Sequence, residues 1–235
     1  MASSRTLQDT ITWAQTFLGG QPLNVTNMEP GLTCGNLVLE RVLGPPMKWR
    51  YNRNNLSFVI STSGGTDYVQ VVGDLGWIET QWLVDPTGNI HSLEGAESLP
   101  KSSASFRPKV LAPVYDDNAG NVTFRLNAIP TANDTVFVDY QKKAPLMTSY
   151  GSNWAPIPDE YGYIYNKLFL ALAGNLTRDS RVPQWSQEGV SALLGAQKGL
   201  TAQERAIFLM EWDRAMNMIS TGTDRSKIGE QALAR

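Results

Sequence analysis

An α+β fold is predicted for this 235-residue chain: a helical bundle built from both chain ends, with an antiparallel β-sandwich or barrel module inserted between them. Three observations predict it. Apolar residues follow helical spacing up to Leu43, alternate with a period of two between about Arg53 and Met147, and return to spacings of three and four after Trp154. The last change of period falls in Trp154-Ala155-Pro156-Ile157-Pro158-Asp159-Glu160-Tyr161. Pro156 and Pro158 favour extended chain, because each lacks an amide donor and biases the residue before it away from the helical region. Pro158 also suits a first helical turn, where Asp159 and Glu160 meet the positive end of the helix dipole. Tyr161, Ile164, Tyr165, Leu168, Phe169, Leu172 and Leu176 then form the wide apolar face of a helix that must be buried. The expected domains are a discontinuous helical domain, 1–52 and 154–220, a β domain, 53–153, and a C-terminal extension, 221–235.

Each element has its own signal. Leu7, Ile11, Ala14 and Leu18 predict a helix over Thr6 to Leu18 that stops at Gly19-Gly20. Leu37, Leu39, Val42 and Leu43 predict a second from about Pro30 to Leu43, ended by Gly44-Pro45-Pro46, although Gly31 and Gly35 each cost about 1 kcal/mol against alanine. Leu56, Phe58 and Ile60 alternate with Ser57, Val59 and Ser61, and Ser63-Gly64-Gly65-Thr66 leads into Tyr68 to Val72, which reads as a two-stranded hairpin. Further strands are expected at Gly76 to Val84, at Asn89 to Glu94 and at Arg107 to Tyr115, the last an edge strand because of Pro108 and Pro113. The turn Asp116 to Asn121 separates it from Val122 to Leu126, and a turn from Pro130 to Asp134 precedes Val136 to Tyr140. Beyond the central helix, Arg181 to Gln197 forms another, and Thr201-Ala202-Gln203-Glu204 is a capping box opening a helix with Phe208, Trp212, Ala215, Met216 and Ile219 on one face.

Composition narrows the function. Charged residues make up 18% of the chain, below the roughly 25% of an ordinary soluble domain, and such a low-charge polar surface is compatible with lateral packing in an assembly. A net charge of -2 argues against nonspecific gripping of nucleic acid. The first residues lack the apolar core of a secretory signal, and no apolar run reaches membrane-span length, so a soluble product made in a cytoplasm is expected. Cys34 is the only cysteine and can form no intrachain disulfide; sequons such as Asn121-Val122-Thr123 are incidental in that setting.

No catalytic, metal or cofactor site is expected. His91 is the only histidine, and no signature places a nucleophile beside it; zinc would need Cys34, His91 and carboxylates gathered without ligand spacing. Gly64-Gly65-Thr66 lacks the lysine and spacing of a P-loop, and Asp116 to Asn121 lacks the distal glutamate of a calcium loop and reads as a hairpin turn. A glycosidase could work with two carboxylates alone, and 22 acidic residues leave that open. Trp49, Trp77 and Trp82 raise the alternative of a sugar-binding platform. Trp77 and Trp82 are an odd number of positions apart, however, and would face opposite ways in one regular strand.

The order of signals carries a resemblance. Arg107-Pro108 is followed by Gly120-Asn121-Val122-Thr123-Phe124-Arg125-Leu126-Asn127-Ala128-Ile129-Pro130, then Val136-Phe137-Val138-Asp139-Tyr140-Gln141-Lys142-Lys143-Ala144-Pro145, then Ile157-Pro158-Asp159-Glu160-Tyr161 and a helix with Ala171-Leu172-Ala173. From residue 77 to about 215 this resembles the head-to-tail adaptor, or connector, proteins of the tailed-bacteriophage neck. The large β insertion favours the longer adaptors of short-tailed phages. The resemblance implies a virion structural protein, not an enzyme. Twelve copies would form a ring between the portal and the tail or nozzle, with double-stranded DNA passing through the lumen unbound and no membrane partner. By the same analogy Arg225, Lys227, Leu233 and Arg235 are candidate portal contacts, ordering on binding. DNA must slide, so a neutral or acidic lumen is expected. The alternatives are a tail-completion or other minor virion protein, or a carbohydrate-binding β module.

Overall fold

The computed structural model describes residues 5–18, 23, 30–117, 119–151 and 157–220. Trp154 to Pro156, the expected helix stop at Gly19-Gly20 and the extension 221–235 lie outside them. Among the described residues the fold is α+β, with five helices and two four-stranded sheets. Internal contacts divide the chain into one unit of Met1–Tyr51 with Ala144–Arg235 and a second of Asn52–Lys143.

The first unit contains α1 (Leu7–Leu18), α2 (Gly31–Leu43), α3 (Gly162–Thr177), α4 (Val182–Ala196) and α5 (Ala202–Ser220). A 3-10 turn, Asp159–Tyr161, leads into α3 after Pro158, whose backbone is extended. Leu168 through Gly174 are all buried. Such a run covers about two helical turns, so α3 is apolar all round and must be enclosed by its neighbours. It touches α1, α2, α4 and α5, and one apolar cluster draws on all five helices. Met147, Tyr150 and Ile157 join the same cluster. Asn36 of α2 holds the backbone of Met147 through both amide atoms, at 3.0 and 2.8 Å.

Two helix starts are secured by side chains. The Thr201 hydroxyl accepts from the Glu204 amide at 3.1 Å while Glu204 accepts from the Thr201 amide at 2.8 Å, as the capping box predicts. A second box, unforeseen, opens α1: Asp9 accepts from the Thr6 amide at 2.8 Å and Thr6 from that of Asp9 at 3.3 Å. The two glycines that weaken α2 in isolation have a packing reason. A Cβ on Gly35 would stand 2.7 Å from Met147 Cε and 2.9 Å from both Leu7 Cδ1 and the Tyr165 oxygen, whose hydroxyl donates to the Gly35 carbonyl at 3.2 Å.

The second unit contains two sheets. One runs β1 (Arg53–Val59), β8 (Thr135–Lys142), β3 (Leu75–Val84), β4 (Ile90–Ser92); the other runs β2 (Asp67–Val71), β7 (Asn121–Leu126), β6 (Val110–Asp116), β5 (Glu94–Gly95). They are not closed into a barrel, which removes that alternative. Nor do β1 and β2 form the expected hairpin: β1 pairs with β8 and β2 with β7. The chain between them changes sheet, and the Tyr68 hydroxyl anchors the crossing by accepting from the Ser61 amide at 3.2 Å and donating to its carbonyl at 3.1 Å. The expected edge position of β6 also needs correction, since β6 lies between β7 and β5. Its proline is tolerated because β5 pairs only with Val110 and Leu111 and ends before Pro113. Phe58, Leu83, Val136, Val138 and Tyr140 of one sheet and Leu111, Val122, Phe124 and Leu126 of the other share a single apolar cluster.

Gln81 pairs with Val138 and so faces the same side as that buried residue; its amide nitrogen and oxygen are buried without hydrogen-bond partners among the described residues. Gln81→Met should therefore raise the stability of this unit by about 1 kcal/mol, read as a higher thermal midpoint. Gly35→Ala should act oppositely, lowering stability by about 1 to 3 kcal/mol through overpacking despite alanine's better helix propensity. Chemical denaturation of the two variants checks both signs.

Candidate functional site

The only histidine lies in a charged cluster at the β3 to β4 turn. Asp85-Pro86-Thr87-Gly88-Asn89 closes on itself: Asp85 Oδ1 accepts from the Thr87 amide at 3.0 Å, the Thr87 hydroxyl at 2.7 Å and the Asn89 amide at 2.9 Å. Its Oδ2 accepts from Asn89 Nδ2 at 3.1 Å and lies 3.1 Å from His91 Nε2. Arg107 brings Nη1 to 3.0 Å from that same His91 nitrogen and donates from Nε to Asp134 Oδ2 at 3.1 Å. Asp134 is buried, and its other carboxylate oxygen has no hydrogen-bond partner among the described residues. The Thr87 hydroxyl, followed by His91 and the Asn89 amide, holds the Asp85 carboxyl well below the usual carboxylate range. Such an acid is a poor general base near neutrality. His91 Nε2 meets Asp85 and Arg107, neither of which is a hydroxyl or thiol nucleophile, so the cluster is a clamp joining the turn to the segments at 107 and 134.

The turn between β6 and β7 repeats this device. Asp117 Oδ1 accepts from the amides of Ala119 at 2.8 Å and Asn121 at 2.9 Å, and Oδ2 from Asn121 Nδ2 at 2.6 Å. Gly88 and Gly120 hold the equivalent left-handed positions, with φ of 89° and 97°. The carboxylate that resembled a calcium ligand is thus engaged by its own turn. Among the described residues no group of three or more His, Cys, Asp or Glu is placed to hold a metal ion. Cys34 is buried within α2.

The tryptophans divide differently from the sequence expectation. Trp49 is buried in the helical unit and donates from Nε1 to the Val42 carbonyl at 2.6 Å. Trp77 and Trp82 share one face of the β1-β8-β3-β4 sheet. Trp77 pairs with Gln141 and Trp82 with Phe137, positions of even separation on β8, because β3 shifts register between Ile78 and Thr80. The extra residue is Glu79, and a β-bulge of this kind reverses the parity on which opposite facing depended. A second shift, at Gly76, is possible only without a side chain, since a Cβ there would stand 2.7 Å from the Gln141 carbonyl oxygen.

In the helical unit an open groove of about 370 Å³ runs between α4 and α5, lined by Val182, Val190, Trp212 and Met216 with Ser186 and Asp213. Beside it α5 exposes Ile207, Leu209 and Met210 at 44%, 42% and 62%. The sequence reading identified the buried face of α5 but not these exposed apolar residues. The candidate portal contacts Arg225, Lys227, Leu233 and Arg235 lie outside the described residues. No protein-family model matches the chain, and no curated protein matches it.

Because the Asp85 carboxyl titrates below its unfolded value, its stabilisation is complete above about pH 4 and is lost as pH falls through the depressed folded value. Asp85→Asn should therefore lower the thermal midpoint at pH 7, and its deficit against the wild type should shrink as the pH is lowered below about 4; thermal melts across that range measure it.

Proposed function

We propose that the protein is a structural component of a tailed-bacteriophage virion, a head-to-tail adaptor of the short-tailed type acting as one subunit of a twelve-membered ring. In this reading the helical bundle built from both chain ends forms the ring and meets the portal, and the inserted β-sandwich faces the next tail component. The observation that carries it is α5. Phe208, Trp212, Ala215 and Ile219 are buried on one side, while Ile207, Leu209 and Met210 stand exposed on another. Three large apolar side chains left on the solvent side of a helix whose opposite side is already buried are available for contact with another body. The other polar groupings support a structural role, because the carboxylates of the two turns are consumed within them.

The neck position supplies the remaining partners: the portal on one side, the tail or nozzle on the other, and DNA sliding through the lumen without specific binding. A net charge of -2 suits such a bore, because counterion-releasing contacts would hold the passing duplex. Arg225, Lys227, Leu233 and Arg235 are the proposed portal contacts.

Mixed with its portal, the protein should give closed rings by negative-stain microscopy, with a neutral or acidic lumen; a monomer that ignores the portal, or a basic belt along the bore, overturns the proposal. Met210→Glu should abolish ring formation with an unchanged thermal midpoint, since its site is exposed in the single chain. Truncation after Ile219 should abolish portal binding while circular dichroism remains that of the folded protein.

A further inference from the structure

We propose that the face of the β1-β8-β3-β4 sheet carrying the half-buried Trp77 and Trp82 is a binding site for a neutral oligosaccharide, with the two tryptophans as stacking surfaces and Asn55, Asp139 and Thr80 as the polar row between them. The inference does not depend on the neck-ring reading.

Residues opposite one another on paired antiparallel strands project from the same face, so the register orders this surface into rows. Val59, Thr135, Val84 and Ile90 form the first row, and Ser57, Phe137, Trp82 and Ser92 the second. Asn55, Asp139 and Thr80 form the third, and Arg53, Gln141 and Trp77 the fourth. Trp82 and Phe137 are stacked, with centroids 5.6 Å apart and planes within 6°. From the row of Phe137 to that of Gln141 is four residues of β8, about 13 Å at strand rise. Two aromatic surfaces therefore stand a short oligosaccharide apart on a rigid support, with hydrogen-bonding side chains between them.

The chemistry of the rows selects the ligand class. Sugar rings offer C–H faces that stack on aromatic rings, and hydroxyls that both donate and accept. Asp139 accepts, Arg53 donates, and Asn55 and Thr80 do both. Ser57 and Ser92 flank the aromatic pair, and no aliphatic side chain occurs in the second, third or fourth row. Aliphatic side chains are confined to the first row. Together with Glu79, the bulged residue, the face carries one cation, Arg53, against two carboxylates, Glu79 and Asp139, which disfavours nucleic acid and anionic polysaccharides. The Glu79 side chain is only 4% exposed and receives both Arg53 and Gln141, fixing the end of the face beside Trp77. A regular β3 would turn one tryptophan away; the bulge is what brings both to this surface, as bulges elsewhere re-aim a side chain at a site.

The test titrates the full chain with maltohexaose, cellohexaose and chitohexaose, following tryptophan fluorescence and saturation-transfer NMR. At least one should bind saturably at concentrations up to about 10 mM. Trp77→Ala and Trp82→Ala should each weaken binding by about tenfold. Asp139→Asn, which leaves both rings in place and guards against an unfolded tryptophan variant, should weaken it severalfold with an unchanged melt. The proposal is overturned if none of the three sugars binds, or if binding persists unaltered in the variants. It is overturned equally if Trp82→Ala changes only the oligomeric mass, which would make the face a protein interface, or if heparin binds in place of the neutral sugars.

Discussion

The enclosure of α3 is the constraint on which the helical unit depends. A helix buried from Leu168 through Gly174 has no solvent face along about two turns and cannot exist as an amphipathic surface element. It needs α1 and α2 from one end of the chain and α4 and α5 from the other. Close approach makes the enclosure tight. A Cβ on Gly174 would lie 2.8 Å from Trp185 of α4, and one on Gly189 would lie 2.8 Å from Leu168 of α3. Glycines along these helices thus exchange intrinsic propensity for contact with a neighbour. The buried polar pair across α1 and α3, with Thr10 Oγ1 donating to Asn166 Oδ1 at 3.1 Å, fixes the register of that contact.

The loop after α3 shows the same economy. Arg178 takes the left-handed position that ends the helix, and Arg181 doubles as partner to Asp179 at 2.7 Å and as a cation 4.7 Å above the Trp185 ring. Its guanidinium also donates to the Phe17 carbonyl of α1 at 2.8 Å. Hydrogen bonds from the Arg181 side chain, then from its amide, bring the Asp179 carboxyl down to about 2. These contacts make the loop an ordered link between α1 and α4.

The helices were legible because their signals are local. Apolar spacing placed α1 through α5, and Thr201 with Glu204 announced the start of α5. The strands were legible as segments but less so as partners. Ser63-Gly64-Gly65-Thr66 has hairpin composition, yet whether a turn joins two strands of one sheet or passes from one sheet to the other depends on where β7 and β8 lie, information held over fifty residues away. The facing of Trp77 and Trp82 was misjudged for a related reason. Parity holds only in a regular strand, and Glu79 at a bulge looks like any other polar residue in an alternating run. Thr6 and Asp9 did carry a readable cap signal, with aspartate in the place glutamate usually takes. Ile207, Leu209 and Met210 do not repeat along the helix at the stripe spacing that marked Phe208, Trp212 and Ile219, so no periodic signal set them apart.

The paired Asp-x-x-Gly-Asn turns bear on the order in which the β unit assembles. Each closes within five consecutive residues, using one carboxylate to gather the amides that reverse the chain. Loop closure over so short a span is entropically cheap, and it sets the alignment of β3 with β4 and of β6 with β7. By contrast β1 must find β8 across most of the unit. Two pre-aligned corners, one in each sheet, reduce the search for the long-range pairing and make slippage by one residue costly at the points where a sheet is easiest to misalign.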